Sequence, residues 1–251
     1  IEENMEAMKE HLRPGTKMYG VVKTDAYGHG AVPVARTIDR FVCGYAVATV
    51  DEGLKLRRHG IEKEILCLGP VSAGRYQECL ENDISLPMFE YRRAKELSDA
   101  AVAEGKTAKI HIAVDTGMSR IGLFPDEGSV EIVKEIAELP ALRIAGMFTH
   151  FARADEADKT NAGEQYRRFR EFCDDVKAAG VAVPVCHCSN SAGIVELPDF
   201  NMDAVRAGIT IYGLYPSDEV KQDIISLKPA MALKSFITYI KEIGPGTEVS
   251  Y

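Results

Sequence analysis

Short β-rich apolar runs alternate with longer amphipathic stretches along most of this chain. The runs are Lys17–Thr24, Gly44–Thr49, Glu64–Gly69, Asp83–Met88, Lys109–Asp115, Arg143–His150, Val183–Ser189 and Asp203–Ala207. Between them lie helix candidates at Ala31–Phe41, Val50–Gly60, Glu90–Gly105, Pro125–Leu139 and Gly163–Gly180. Asp51 stands where it could cap the second helix, and Gly60, Gly105 and Gly180 stand where C′ glycines are expected. Continuous apolar strands alternating with helices predict a parallel sheet, and eight such repeats in about 250 residues predict a (β/α)8 TIM-type barrel. The alternative, a doubly wound sheet, would show a G-x-G-x-x-G segment after a strand, and none is present. Met5, Met8 and Leu12 within residues 1–13 fit a helix packed ahead of the first strand. Past Pro229 the pattern changes: Leu233, Phe236, Ile237, Tyr239 and Ile240 read as a β-like segment with no helix after it. The predicted organisation is a barrel over residues 1–230 and the beginning of an incomplete, β-rich C-terminal domain over 231–251.

Composition narrows the class. The chain has 251 residues, 46% hydrophobic and 27% charged, with 21 Gly and 11 Pro, as in an ordinary folded domain. Collagen-like, mucin-like and disordered chains are excluded. A formal net charge of -8 argues against a nucleic-acid partner. No apolar run approaches the roughly 18 residues of a membrane span. The opening Ile1-Glu2-Glu3-Asn4-Met5 lacks the basic and apolar regions of a signal peptide, so a cytoplasmic location is expected, whether for the protein or for a cytosolic domain of a longer one. The absence of an initiator Met and a close at Tyr251, inside what reads as a turn entering a strand, lead us to expect a piece of a longer chain. Six cysteines, at 43, 67, 79, 173, 186 and 188, are sparse and sit largely in apolar runs, as reduced core thiols do. Cys186-His187-Cys188 does not read as a metal site: on a strand His187 faces opposite to the two cysteines, and no second Cys/His pair follows at ligand spacing.

In a barrel, chemistry is carried where strands end. The first run ends Lys23-Thr24-Asp25-Ala26-Tyr27-Gly28-His29-Gly30. A lysine closing a buried strand must be neutralised, paired, covalently used or snorkelling, since burying its charge is costly. The fifth run leads into Asp115-Thr116-Gly117-Met118-Ser119-Arg120-Ile121-Gly122, whose arginine could grip a carboxylate bidentately or form a loop salt bridge with Asp115 or Asp126. The sixth ends Thr149-His150-Phe151, the seventh runs into Ser189-Asn190-Ser191, and the eighth gives Arg206-Ala207-Gly208-Ile209. Barrels frequently seat phosphate in the loops after strands seven and eight. A lysine on the first strand with a phosphate seat on the last two suits pyridoxal 5′-phosphate, with Lys23 as its Schiff-base partner.

The segment Val22–Gly30 resembles the pyridoxal-phosphate attachment signature of bacterial alanine racemases. Asp115–Gly122, Thr149–Ala152, Asn190–Ala192 and Arg206–Leu214 resemble further segments of that family in the same order, and Val249-Ser250-Tyr251 resembles the start of another. The resemblance covers essentially the whole chain. It implies an isomerase that interconverts L- and D-alanine and supplies D-alanine for peptidoglycan. Lys23 and Tyr251 would be its two acid/bases, one for each face of the substrate. Tyr27 and Ser191 would hold the phosphate through hydroxyls, Gly208 and Ile209 through backbone N–H groups, with Asn190 beside them. Arg206 would face the pyridine nitrogen, His150 would belong to the network around that arginine, and Arg120 would lie on the substrate-carboxylate side. The resemblance further implies a homodimer whose active site is shared between subunits, with Tyr251 reaching the partner's site.

One departure bears on substrate. Many members of the family carry a lysine two residues before the Asp-Thr-Gly, supporting the substrate-side arginine, and here that position is Ala113. Serine, alone or with alanine, is therefore the nearest alternative substrate. A non-catalytic pyridoxal-phosphate-binding barrel of similar length and a related decarboxylase are more distant readings. The β-like tail from Leu233 to Tyr251 argues against the former.

Overall fold

All eight apolar runs form parallel strands in a computed structural model that describes residues 1–250. They are β1 Lys17–Val21, β2 Gly44–Val47, β3 Glu64–Cys67, β4 Ile84–Met88, β5 Ala108–Ala113, β6 Leu142–Phe148, β7 Cys186–His187 and β8 Ala204–Ala207. Each pairs with the next in sequence, and β8 returns to β1 with Arg206 opposite Tyr19, closing the barrel. Residues in β2, β4 and β8 are buried throughout, as expected for strands covered by helices outside and side chains inside.

The five predicted helices form as Ala31–Ile38, Val50–Arg58, Tyr91–Ala103, Glu127–Ala137 and Thr160–Ala178. Gly60, Gly105 and Gly180 follow three of them with φ of 79°, 61° and 87°, the left-handed geometry that stops a helix. Tyr76–Glu81 and Ser191–Glu196 are also helical but too short for apolar periodicity to reveal. One expected cap is corrected. Thr49, extended at φ -131°, ψ 160°, caps Val50–Arg58 in a capping box with Glu52. Asp51 lies inside the first turn, and its carboxylate pairs with Arg75 at 2.7 Å instead.

The N-terminal helix Glu2–His11 buries Met5 and Met8 completely. Its Asn4 donates to the carbonyls of Ile211 and Lys228 and accepts from the Lys228 N–H, tying the helix to the segment after β8. Residues 231–250 contain no helix or strand, and Leu233, Phe236, Ile237, Tyr239 and Ile240 are exposed. The β-like segment expected there meets no neighbouring strand among the described residues.

Candidate active site

The C-terminal ends of the strands surround a cavity of about 500 Å³. Its walls include Lys23, Tyr27, Arg120, His150, Asn190, Ser191, Arg206, Gly208 and Ile209. All nine expected site residues that lie within the described region therefore meet in one place. Tyr251 lies outside the described residues.

The β1 end departs from what the residue types suggest. Thr24, Asp25, Ala26 and Tyr27 all take left-handed dihedrals, with φ between 50° and 55°, so a left-handed helical turn leaves the strand at Lys23. Such a conformation costs about 1–2 kcal/mol per non-glycine residue. A dense set of bonds offsets that strain. The Thr24 N–H donates to Glu52 Oε1 at 2.6 Å, and Asp25 Oδ1 accepts from the Ala31 N–H and from Lys55 Nζ. Gly28 and Gly30 N–H groups return to the Asp25 carbonyl. The turn places the Lys23 ammonium 5.9 Å from the centre of the Tyr27 ring and packs that ring against Tyr212.

Tyr27 meets the loops after β7 and β8. A Cβ built on Gly208 would stand 3.2 Å from Tyr27 Oη and 3.4 Å from Ser191 Oγ, so glycine leaves open a small cradle between two hydroxyls. Ser191 Oγ accepts from the Gly208 N–H at 3.0 Å and from Thr210 Oγ1 at 3.0 Å. Asn190 caps Ser191–Glu196, accepting from the Gly193 N–H, and so fixes the backbone that carries Ser191.

Arg206 projects from β8 and is buried, at 3% exposure. Its Nη1 donates to His187 Nδ1 at 2.7 Å, and its Nη2 donates to the Thr149 carbonyl at 2.7 Å and to His150 Nδ1 at 3.2 Å. No carboxylate lies within ion-pair distance among the described residues. Burial, opposed in part by Cys188, lowers the guanidinium to about 10, still protonated near neutral pH. Burial and the neighbouring cations Arg206, Arg120 and Lys23 lower His150 to about 3, so it is neutral and can accept from Arg206.

Arg120 is exposed at the cavity mouth and forms no ion pair among the described residues. The two acids that could have paired with it are used elsewhere. Asp115 Oδ1 accepts from the Gly117 and Ser119 N–H groups, and Asp126 caps Glu127–Ala137. Ala113 is buried in β5. Sequence reasoning missed Gln165, which is buried and donates to the His150 carbonyl and Thr116 while accepting from the Ala152 N–H, holding the β6 loop in place. It also missed His187 as the seat of Arg206. A polar residue inside an apolar run was the available signal. Among the described residues no group of three potential ligands could hold a metal ion, and no helix is long and apolar enough to cross a membrane.

Fold and cavity together define a (β/α)8-barrel protein with a small-molecule site at the C-terminal strand ends. Residues 1–216 match the family described as alanine racemase, N-terminal domain. The chain belongs to that family. It is 44% identical over 252 residues to an alanine racemase of Clostridium novyi and 40% identical over 252 to one of Methanococcus maripaludis, covering 100% of this chain in each case. Those alignments cover 65% and 68% of the two relatives, so the chain spans about two thirds of their length. The structure of Clostridium difficile alanine racemase in complex with cycloserine superposes with a TM-score of 0.93 at 40% identity, covering 96% of this chain and 66% of that one.

Proposed function

We propose that this chain is the cofactor-binding part of a pyridoxal-phosphate-dependent alanine racemase, an isomerase that interconverts L- and D-alanine. The observation that carries this reading is the convergence in one cavity of a strand-end lysine, a two-hydroxyl glycine cradle and a buried arginine. Those groups fit the cofactor's chemical parts: an amine for its aldehyde, a polar cradle for its phosphate and a fixed donor for its ring nitrogen. Tyr27, Ser191, Gly208 and Ile209 would hold the phosphate. When bound, pyridoxal phosphate delocalises the electron pair left at the substrate Cα.

The protein's own groups handle orientation and protons. Racemisation requires a proton to leave one face of Cα and another to arrive on the opposite face, hence two acid/bases. Lys23 is assigned one face, its amine taking or returning the Cα proton, and Tyr251 the other. Arg120, at the mouth and without an ion pair among the described residues, binds the substrate carboxylate. Arg206 remains a full donor and cannot readily release its proton, so the group it faces stays an acceptor. His150, neutral, steadies Arg206 without adding charge. The working enzyme is read as a cytoplasmic homodimer with a shared site, its barrel followed from residue 231 by a β-rich domain, and its product D-alanine as a peptidoglycan precursor.

Chiral analysis of the full-length protein tests this. L-alanine and D-alanine are expected to interconvert faster than the serine enantiomers. No interconversion of either amino acid with pyridoxal phosphate present would overturn the reading, and faster turnover of serine would reassign the substrate.

A further inference from the structure

Beneath the cavity, the barrel interior holds a polar layer. Tyr19, Glu64, His111 and His187 come one each from β1, β3, β5 and β7, the alternate-strand arrangement of a barrel layer, where bulky aliphatic side chains are usual. Tyr19 is 2% exposed and both imidazoles 0%. Intervening strands make room for them. A Cβ on Gly44 of β2 would lie 3.0 Å from the Tyr19 ring and 3.2 Å from Glu64 Cβ. One on Gly146 of β6 would lie 2.6 Å from His111 Nδ1.

The hydrogen bonds in this layer run in one direction only. A guanidinium can only donate, so His187 Nδ1, 2.7 Å from Arg206 Nη1, must be unprotonated. A neutral His187 then carries its proton on Nε2 and donates to His111 Nδ1 at 3.0 Å. His111 in turn carries its proton on Nε2, directed at Glu64 Oε1 at 3.2 Å. Glu64 also accepts from Ser85 Oγ and Tyr19 Oη, each at 2.7 Å. Every donor thus points toward Glu64, which closes the column by accepting. A protonated Glu64 donating to His111 would reverse both imidazoles and set two N–H groups against each other at Arg206.

We propose that Glu64 is a positioning residue for the cavity: by accepting from His111 it anchors the far end of the column that receives Arg206, and it is the counter-charge of that guanidinium, which forms no ion pair among the described residues. Glu64 touches neither substrate nor cofactor and acts only through the two imidazoles. The kinetic part of the test rests on the racemase reading; the tautomer part does not.

The experiment is nitrogen-15 NMR of histidine-labelled full-length protein, with His111 and His187 assigned by single variants. Both imidazoles are expected neutral, protonated on Nε2 and bare at Nδ1. Glu64→Gln, which keeps an acceptor without the charge, should preserve both tautomers while lowering kcat several-fold at unchanged KM. Glu64→Leu leaves the His111 Nε2–H without its acceptor and should move the His111 Nε2 nitrogen shift and lower kcat by about 10–100-fold, the scale known for outer partners of metal-binding imidazoles. Protonation of Nδ1 on either wild-type imidazole overturns the proposal, and that measurement stands even where Glu64→Leu does not fold. So does wild-type kcat in Glu64→Gln for the counter-charge, or an unmoved His111 Nε2 shift with wild-type kcat in a folded Glu64→Leu for the positioning. A wild type that fails to racemise, with the tautomers as described, would overturn the racemase assignment alone.

Discussion

The rim of the cavity and the layer beneath it use charge in opposite ways. On the rim, Arg120 is exposed and Lys23 half-buried, and neither forms an ion pair among the described residues. In the layer, Arg206, His187, His111 and Glu64 are bonded end to end with their proton positions dictated by their neighbours. A solvated group can be removed without disturbing what surrounds it. A desolvated one leaves its partner stranded, at about 1–3 kcal/mol for each unmet bond. The rim should therefore respond to substitution chemically, and the layer both chemically and structurally.

Lys23→Ala is the strongest test of that contrast. Racemisation should fall by at least about 10³-fold, the range of a lost acid/base group, with the melting temperature close to that of the wild type. Comparable loss of both would mean that Lys23 belongs to the fold rather than to the rim. Gly146→Ala should be the converse. Its new Cβ meets the His111 ring at 2.6 Å and the Val185 carbonyl at 2.7 Å, neither of which can move freely. Calorimetry should show a loss of about 3–5 kcal/mol from overpacking and a broken buried bond. For a chain of this size that lowers the melting temperature by roughly 10 °C.

The layer should also carry a pH signature. Burial alone would raise the Glu64 carboxyl, but donors from His111, Ser85 and Tyr19 outweigh it and hold the group below its ordinary value. The nearby titratable and charged groups are Tyr19, Cys43, Arg57 and His111. A folded-state value below the unfolded one stabilises the protein above the unfolded pKa, and the benefit is lost as pH falls toward the folded one. The advantage of wild type over Glu64→Gln should thus be complete above about pH 5 and shrink as pH falls toward the lowered folded-state value. Melting curves of the two proteins across that range would show it, and a constant gap would place the charge elsewhere.

Back at the rim, Gly208→Ala narrows the cradle between Tyr27 and Ser191 without touching backbone. Pyridoxal-phosphate affinity should drop about tenfold, or 1.4 kcal/mol, with stability of the unliganded protein retained. Unchanged affinity would move the phosphate seat away from this cradle. The smallest expected effect is Thr49→Ala. Loss of the side-chain cap on Val50–Arg58 should cost about 1 kcal/mol in denaturant titrations and leave the cavity's chemistry intact.

The barrel was legible because strands covered on both faces are written as continuous apolar runs, and all eight emerged in order. The cavity walls were legible too, since Lys23, His150 and Arg206 sit in segments with a family likeness. What escaped notice has physical reasons. Thr24-Asp25-Ala26-Tyr27 contains no glycine, so nothing local announces a left-handed turn; bonds from Glu52 and Lys55, distant in sequence, help impose it. Glu64 merely opens the run Glu64–Gly69, and His111 lies inside Lys109–Asp115, with nothing in the sequence to link them. Only barrel closure brings β3, β5 and β7 to a common level and makes one column of them. The Leu233–Ile240 segment shows the reverse limit: its apolar positions are exposed and have no surface to lie against among the described residues.

The glycines at 44 and 146 carry a lesson for anyone wishing to harden this barrel. Redesign aimed at thermal tolerance would refill such a layer with leucine and isoleucine, since replacing buried ionic groups with well-packed aliphatics often raises stability. Here the sturdier barrel would hold an arginine with no imidazole to receive it and no anion to balance it. The tolerance gained in the scaffold would be withdrawn from the catalyst, which makes the polar layer a boundary that stabilising redesign should not cross.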